Sequence, residues 1–240
     1  EKPLAESAED VRLLHAHAQK LRRKICPVHQ FATQRGVLEA KRLLDGIGTV
    51  SRVGFVICSA GAEGQGVDMR DTVVADILPH PLSVISSLWP AIPLENLEWK
   101  HLYPAPGEVL AHCLFNDMPL SLAISMSGRP TRCYMEIQGS RASLLIDFFH
   151  GFCIRLPGQV SKFRKMIYPF ADSMRLFTAA GLNLMYRAWH RQPAYPGLEH
   201  LLHEFYRALE QGGVGPIPAY VSISLALARD HFLKGMDSGH

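Results

Sequence analysis

At both ends of the chain apolar residues recur at helical spacing, whereas the middle contains runs of residues that are typical of β-strands. Residues 7–24 predict an amphipathic helix, because apolar side chains recur three or four positions apart, at Val11, Leu14, Ala18 and Leu21. Ser7 and Asp10 resemble a capping box at its start. Residues 25–31 predict a short strand, and residues 34–45 predict a second amphipathic helix that ends at Gly46. Helix, strand and helix alternate here as in an α/β unit.

The middle of the chain predicts a sheet, and the end predicts helices that cover it. Strand-like runs occupy 50–58, 95–103, 107–116, 119–127, 131–138, 143–149 and 153–156. Most of the later runs are joined by short turns, which implies antiparallel neighbours. Helical spacing returns at 170–191, 197–210 and 220–234. The predicted fold is α+β, with a large, predominantly antiparallel open sheet covered by helices.

A change of composition near residue 32 predicts a domain boundary, which divides the chain into residues 1–31 and 32–240. The helix and strand of the first part resemble the tail of a larger unit. A strand so close to the start of a chain has no obvious neighbour to pair with, and its edge would be exposed. We therefore expect a further segment to precede it.

Composition narrows the choice of partner and compartment. The 240 residues include 25 basic and 22 acidic side chains, a net charge of +3, which is too balanced for a nucleic-acid-binding protein. The five cysteines are widely spaced and contain no C-x-x-C pair, which predicts reduced thiols, a cytoplasmic location and no metal site. There is no run of 18 uncharged apolar residues and no signal-peptide segment at the start, so a membrane-embedded protein is not expected.

Candidate chemistry begins with Asp76 and His80, which are four residues apart and would share one face of a regular helix. Pro79 and Pro81 flank the histidine and remove two backbone donors. These prolines predict either a kinked helix or a helix that restarts at Pro81 with His80 near its N-cap.

Several separated motifs occur in the order of one family. They are Glu1-Lys2-Pro3-Leu4-Ala5, the run Val28-His29-Gln30-Phe31, residues 46–50, Asp76-x-x-x-His80 and the closing segment 197–212. Together they resemble the glucose-fructose oxidoreductase, inositol dehydrogenase and MocA-like family over essentially the whole chain. The resemblance implies that residues 1–31 end a dinucleotide-binding Rossmann domain and that residues 32–240 form a substrate-binding and oligomerisation domain. The chain has no G-x-G-x-x-G turn between a strand and a helix, so it is expected to be inactive by itself.

The same resemblance assigns roles to five residues. Lys2, Asp76 and His80 would be catalytic: Lys2 beside the substrate oxygen, His80 as proton acceptor, and Asp76 orienting or tuning His80. Glu1, Lys2 and Pro3 would contact the cofactor, NAD or NADP. Lys2 and His80 would contact a small-molecule substrate of the sugar or cyclitol type. His29, which closes the predicted strand at the domain junction, is a further candidate for substrate contact, with a packed junction histidine as the alternative. The expected activity is hydride transfer between the cofactor and a hydroxyl or carbonyl group.

The resemblance also implies how copies of the chain assemble. It predicts a homo-oligomer formed through the open sheet face. Trp99, His101 and Tyr103 alternate along one strand and so lie on one sheet face, which we interpret first as this interface and second as substrate contacts. The aromatic and methionine-rich run 163–189 predicts a helix that covers the sheet or forms an oligomer seam, with binding to a membrane surface as the less favoured alternative.

Three departures from the family pattern support a competing hypothesis. Thr72 and Val73 replace a glycine pair before the Asp76 motif, Ala32 replaces an arginine, and prolines flank His80. A non-catalytic ligand-binding or scaffold protein of the same fold could have lost the proton-transfer geometry in this way.

Overall fold

A computed structural model describes residues 2–64, 66–67, 69–158, 161–162, 164–192 and 196–237. The α-helices are α1 (Ala8–Lys20), α2 (Arg35–Leu43), α3 (Met69–Ile77), α4 (Pro79–Leu88), α5 (Arg164–Trp189), α6 (Leu198–Glu210) and α7 (Ala219–Asp237). The strands are β1 (Val50–Cys58), β2 (Lys100–Ala105), β3 (Glu108–Phe115), β4 (Met118–Ser125), β5 (Arg132–Gly139), β6 (Ala142–Asp147) and β7 (Phe152–Pro157). Short 3-10 helices occupy Gln30–Thr33, Leu44–Ile47 and Leu94–Asn96.

The seven strands form one sheet in the order β2-β3-β4-β1-β5-β6-β7. All neighbouring pairs are antiparallel except β1 and β4, which run parallel. Strand β1 therefore enters between two antiparallel groups that are each built from consecutive strands. The predicted fold class, a mostly antiparallel open sheet with helices, is confirmed.

One face of the sheet carries the hydrophobic core. Phe55 lies opposite Leu122 on one neighbouring strand and Met135 on the other, and all three side chains are buried. Helices α2, α4 and α7 pack near this layer. On the opposite face Leu102 lies across from Leu110, and both are exposed together with Leu114. Because alternate residues of a strand point to opposite faces, the chain leaves a sheet surface with apolar side chains uncovered.

Residues 25–31 do not form the predicted strand. Residues 23–29 lie outside any helix or strand, and the chain then enters the 3-10 helix Gln30–Thr33. Pro27 removes one backbone donor, and its carbonyl accepts a hydrogen bond from His29 N in a tight turn. No described strand lies beside this segment to pair with it.

The interpretation of Trp99, His101 and Tyr103 as an interface on the open face is wrong. Trp99 and His101 pack against Phe232 of α7, with ring centroids 5.4 and 4.5 Å apart. The hydroxyl of Tyr103 donates to the carboxylate of Asp71 in α3. These side chains share one face as predicted, but it is the face that the helices cover.

The long helix α5 begins earlier than predicted and covers little of the sheet. It is attached at one side, where Asn183 Nδ2 donates to the carbonyl oxygen of His150 at 2.6 Å. Most of its large apolar side chains are exposed, including Phe170, Phe177 and Trp189. Within the described ranges, none of the helices is both long and apolar enough to cross a membrane.

Candidate active site

Three of the residues singled out from the sequence come together where the N-terminal segment meets α3 and α4. Lys2 Nζ donates a 2.6 Å hydrogen bond to the carbonyl oxygen of Asp76. Burial lowers the pKa of His29 and the pKa of His80, and the charge of Lys2 lowers both further. Pro3, the neighbour of Lys2, lines one small cavity together with His29 and with Pro79, the neighbour of His80. The chain thus brings one amine and two imidazoles to a shared location from three distant segments.

His80 lies in the first turn of α4, because the helix begins two residues earlier than the predicted start at Pro81. Helix α3 ends at Ile77, Leu78 keeps a right-handed helical conformation, and Pro79 opens α4. A proline suits this first position, where its missing N–H would have had no partner within the helix. The carbonyl oxygen of His80 accepts a hydrogen bond from Ser83 Oγ at 2.8 Å, which fixes the turn.

Asp76 contributes its backbone rather than its side chain to this geometry. Asp76 is exposed, and its backbone carbonyl oxygen accepts the hydrogen bond from Lys2 Nζ. His80 Nδ1 is buried and has no hydrogen-bond partner among the described residues. The structure therefore does not join the Asp76 carboxylate to His80 Nδ1, although four-residue spacing suggested that it would.

An aromatic column holds the His80 ring in place. Phe31 stacks on His80 with centroids 4.0 Å apart and planes 17° apart. The other side of Phe31 stacks on Phe148 at 5.2 Å, and Phe148 stacks on Phe55 of the core at 4.8 Å. Burial in these apolar surroundings, together with the charge of Lys2 and the neighbouring His29, lowers the pKa of His80 to about 3. The imidazole is therefore neutral at pH 7.

His29 is the second neutral imidazole of the group. Only 4% of it is exposed, and burial and the nearby charge of Lys2 lower its pKa to about 4. Its Nδ1 has no hydrogen-bond partner within the described part of the chain. It lines a small cavity together with Pro3, Pro79, Ser222 and other residues of α1 and α7. Buried polar atoms normally find a partner, and four further buried side-chain atoms of the described residues also lack one, among them His15 Nε2 and His101 Nε2. His29 and His80 differ from these in lying together next to the segment that carries Lys2.

Helix α7 fixes the segment that carries Lys2, which the sequence did not reveal. Arg229 donates from Nε to the carbonyl oxygen of Ala75 at 3.1 Å and from Nη1 to that of Glu6 at 2.9 Å. Asp230 accepts a hydrogen bond from the backbone N–H of Ala8 at 2.8 Å. The sequence offered one signal for this role, the charged pair of Arg229 and Asp230 within an otherwise largely apolar helix. Phe31 was also missed as a site residue, and its signal was its place two residues after His29.

The described residues include no group of three or more His, Cys, Asp and Glu side chains that could hold a metal ion. Glu1, one of the predicted cofactor contacts, lies outside the described residues. Pro3 lies beside His29 at the small cavity. The polar groups that converge here are thus an ammonium donor and two imidazole nitrogens without partners, a set suited to hydroxyl and carbonyl groups.

No protein-family model matches the chain, and no curated protein matches its sequence. Comparison with solved structures does find similar folds. A levoglucosan dehydrogenase in complex with NADH and levoglucosan superimposes with a TM-score of 0.67 and 14% identity, over 99% of this chain and 70% of that one. A 3-ketoreductase from Actinomadura kijaniata in complex with NADP gives 0.64 and 14%, over 98% of this chain and 68% of that one.

A third similar structure is an inositol dehydrogenase homologue from Azotobacter vinelandii, complexed with NADH and myo-inositol. It gives a TM-score of 0.59 and 13% identity, over 99% of this chain and 68% of that one. At such identities the likeness establishes the fold. The resemblance drawn from the sequence is thereby confirmed for the architecture, and the chain spans about two thirds of the length of these structures.

Proposed function

We propose that this chain is the substrate-binding part of a nicotinamide-dependent oxidoreductase that acts on a hydroxyl or carbonyl group of a sugar, cyclitol or related compound. The observation that carries the proposal is the convergence of Lys2, His29 and His80, with two buried imidazole nitrogens that lack partners. The shared fold with proteins crystallised with NADH or NADP and sugar-type ligands adds support. On this proposal residues 1–31 belong to the nucleotide-binding domain and residues 32–240 to the substrate domain.

In the proposed chemistry His80 transfers the proton, and Lys2 stabilises the charge on the substrate oxygen. In the oxidising direction the neutral ring of His80 accepts the proton of the substrate hydroxyl, since a neutral imidazole nitrogen without a partner can act as a base. The ammonium group of Lys2 donates a hydrogen bond to the same oxygen and stabilises the negative charge that develops there. When bound, NAD or NADP would supply the hydride acceptor. The reverse direction returns the proton from His80 to the alkoxide.

The low pKa of His80 has a consequence for this role. A protonated His80 would lie close to the positive charge of Lys2 in apolar surroundings, so it gives up its proton readily. A negatively charged substrate oxygen between the two groups would raise the pKa of His80, because it offsets the charge of Lys2. We therefore propose that His80 becomes an effective base only when substrate occupies the site, with Asp76 acting through the carbonyl that holds Lys2.

Glu1, Lys2 and Pro3 would lie at the nicotinamide end of the cofactor. The described residues fit that end through the ammonium group of Lys2 and the ring of Pro3 beside His29. We further propose that the exposed sheet face around Leu102, Leu110 and Leu114 joins copies of the chain into a homo-oligomer.

One observation favours the competing function, a non-catalytic ligand-binding or scaffold protein. The carboxylate of Asp76 is not joined to His80 Nδ1, so it does not fix the tautomer of this histidine. Such a protein would bind a polyol through the same polar groups without exchanging hydride.

The experiment that separates the two uses the chain together with any nucleotide-binding segment encoded with it. Absorbance at 340 nm is followed with NAD or NADP and a panel of sugars and cyclitols, and ligand binding is measured separately by calorimetry. We expect Lys2→Ala and His80→Ala each to lower kcat by at least about 100-fold. Lys20→Ala, on the exposed face of α1, is the matched control and should leave kcat unchanged.

The outcomes are distinct. Turnover that survives both Lys2→Ala and His80→Ala would end the catalytic assignment. Ligand binding that depends on these residues, with no turnover in the unsubstituted protein, would favour the non-catalytic function.

A further inference from the structure

Helix α5 carries an apolar seam on the side that faces away from the rest of the chain. Its members follow one another at alternating intervals of three and four residues, which is the a/d pattern of a coiled coil sustained over three heptads. This distal seam consists of Ile167, Phe170, Met174, Phe177, Gly181, Leu184 and Ala188.

The seam is exposed, and the opposite side of α5 is the attached one. The five large members of the seam are 53% to 78% exposed. Asn183 is buried and donates to the carbonyl oxygen of His150, and the Tyr186 ring lies 4.4 Å from the guanidinium carbon of Arg35. Met174 is nine residues from Asn183, which is two and a half helical turns and therefore the opposite face. Helix α5 thus presents its apolar stripe to solvent, the reverse of an ordinary surface helix.

We propose that the distal seam of α5 pairs with the same seam of a second copy of this chain, forming an antiparallel two-helix coiled coil around a two-fold axis. A two-fold interface uses the same patch on both partners, so one self-complementary stripe is sufficient. This contact is separate from the exposed sheet face and does not depend on the proposed enzymatic activity.

The order of large and small side chains fits an antiparallel register. If the axis passes level with the point midway between Phe177 and Gly181, Phe177 of each copy lies over Gly181 of the other. In the same register Phe170 meets Ala188, and Met174 meets Leu184. A Cβ atom added at Gly181 would have no neighbour within 4 Å, so open space exists there for a phenylalanine ring. A glycine costs an isolated helix about 0.5–1 kcal/mol relative to alanine, and this packing gives it a structural reason.

Charge also favours the antiparallel arrangement. Helix α5 carries the basic residues Arg164, Lys165, Arg175 and Arg187 against the single acidic residue Asp172, which is already paired with Arg175. In a parallel pair each basic side chain would lie beside its own copy, whereas the antiparallel register separates them. Antiparallel helices also place opposite ends of their dipoles together.

The available area is sufficient for a specific dimer. Phe170 and Phe177, each about three quarters exposed, offer roughly 300 Å² between them. The rest of the distal seam, with Met166, Met185 and Trp189 beside it, brings the apolar surface to roughly 800 Å² per partner, which is the size of a standard interface.

Sedimentation velocity of the 240-residue chain at about 1 to 100 µM tests the proposal, and every variant is also made with Leu110→Lys, so that association through the sheet cannot mask the result. We expect Phe177→Glu to weaken dimerisation at least about 100-fold, because it places two unpaired charges in the seam. Leu182→Glu is the matched control: it lies on the same helix, is 62% exposed and is off the seam, so the dissociation constant should not change.

The variant Gly181→Leu distinguishes this specific packing from nonspecific hydrophobic association. The substitution adds apolar surface and helix propensity, and it has room in the single chain, yet it removes the space for Phe177 of the second copy. We expect it to weaken the dimer. Tighter association in Gly181→Leu, binding to anionic vesicles without a dimer, or a chain that stays monomeric throughout would overturn the proposal.

Disulfide trapping tests the register. A mixture of Met174→Cys and Leu184→Cys chains should form a mixed cross-linked dimer under mild oxidation, with the unsubstituted chain and its five free cysteines as the background. Cross-linking of Met174→Cys with itself, and none in the mixture, would exclude the antiparallel arrangement.

Discussion

Phe31 lies flat against His80, with ring centroids 4.0 Å apart, although 49 positions separate the two residues in the sequence. The phenylalanine comes from a 3-10 turn and the histidine from the first turn of α4. Their contact extends through Phe148 to the centre of the sheet at Phe55. The orientation of the proposed base is therefore set by the hydrophobic core and not by a carboxylate.

Replacing Phe31 should expose His80 without touching its own atoms. We expect Phe31→Ala to raise the pKa of His80 from about 3 toward its ordinary value, because burial is the largest cause of its depression. The variant should also lose about 2 kcal/mol in free energy of unfolding, since Phe31 is half-buried. Titration of the His80 ring signals by NMR measures the first effect and urea unfolding the second.

Phe115→Ala is the control for this prediction. Phe115 is similarly half-buried but lies at the end of β3, away from His80. It should lower stability while leaving the His80 titration unchanged. An unaltered His80 titration in Phe31→Ala would show that the stack does not seal the ring.

Stability should fall with acid because of His29 and His80. Their folded-state pKa values are about 4 and about 3, below the ordinary 6.5, so the unfolded chain binds more protons between these limits. The stabilisation is complete above pH 6.5 and is lost as the pH falls toward 4 for His29 and toward 3 for His80. Well below pH 6.5 each histidine should reduce the free energy of unfolding by about 1.4 kcal/mol per pH unit.

Urea unfolding at pH 7.5 and pH 5 measures this loss. His29→Gln and His80→Gln should each reduce the difference in stability between the two pH values, whatever they do to stability itself. Gln19→Ala, which removes a non-titrating side chain at an exposed position of α1, should leave the difference unchanged. An equal pH difference in all four proteins would mean that neither buried ring resists protonation.

The sequence predicted the helices and strands better than it predicted which strands lie side by side. Helix α1 with its Ser7 cap and the strands from β1 to β7 follow from local periodicity, and the side chain of Ser7 does accept the N–H of Asp10. The parallel pairing of β1 with β4 could not be read locally, because the partner is decided by the whole sheet. Residues 25–31 show the same limit: their composition suited a strand, but none of the strands in the described part of the chain lies beside them.

In the candidate site, too, some residues were predicted from the sequence and others were found only from the structure. Lys2 and His80 were found through short motifs, and the structure brings them together. The resemblance implied that the side chain of Asp76 orients or tunes His80, yet Lys2 donates to the carbonyl oxygen of Asp76, because the ammonium group approaches the open carbonyl at the end of α3. Phe31 and Arg229 carry no motif, so only their packing revealed them.

Arg229 should hold the N-terminal segment in register with α3. It bridges the carbonyl oxygens of Ala75 and Glu6 across more than 150 positions of the sequence, and 12% of its side chain is exposed. We expect Arg229→Met to cost about 1.5–3 kcal/mol in the free energy of unfolding, because two charge-assisted hydrogen bonds are lost. Hydrogen exchange of residues 4–8 and 74–78 should accelerate.

A substitution of the same type elsewhere controls for loss of charge. Arg42→Met removes an exposed arginine of α2 that pairs with Glu39 three residues away. Its effect on the free energy of unfolding should be small and should shrink further at high salt, as is usual for exposed ion pairs. If Arg229→Met costs no more than Arg42→Met, the bridge is not what orders the segment that carries Lys2.

The exposed sheet face makes a prediction of its own. Leu102 and Leu110 lie opposite each other on β2 and β3, and Leu114 continues the same face. If this surface joins copies of the chain, Leu110→Lys should lower the oligomeric state measured by light scattering, because it places a charge in a buried apolar contact. Leu14→Lys provides the matched control, since Leu14 is 41% exposed on α1 and Leu110 is 46% exposed. Equal behaviour of the two variants would leave the sheet face as ordinary surface, whereas a loss confined to Leu110→Lys would establish it as a contact distinct from the α5 seam.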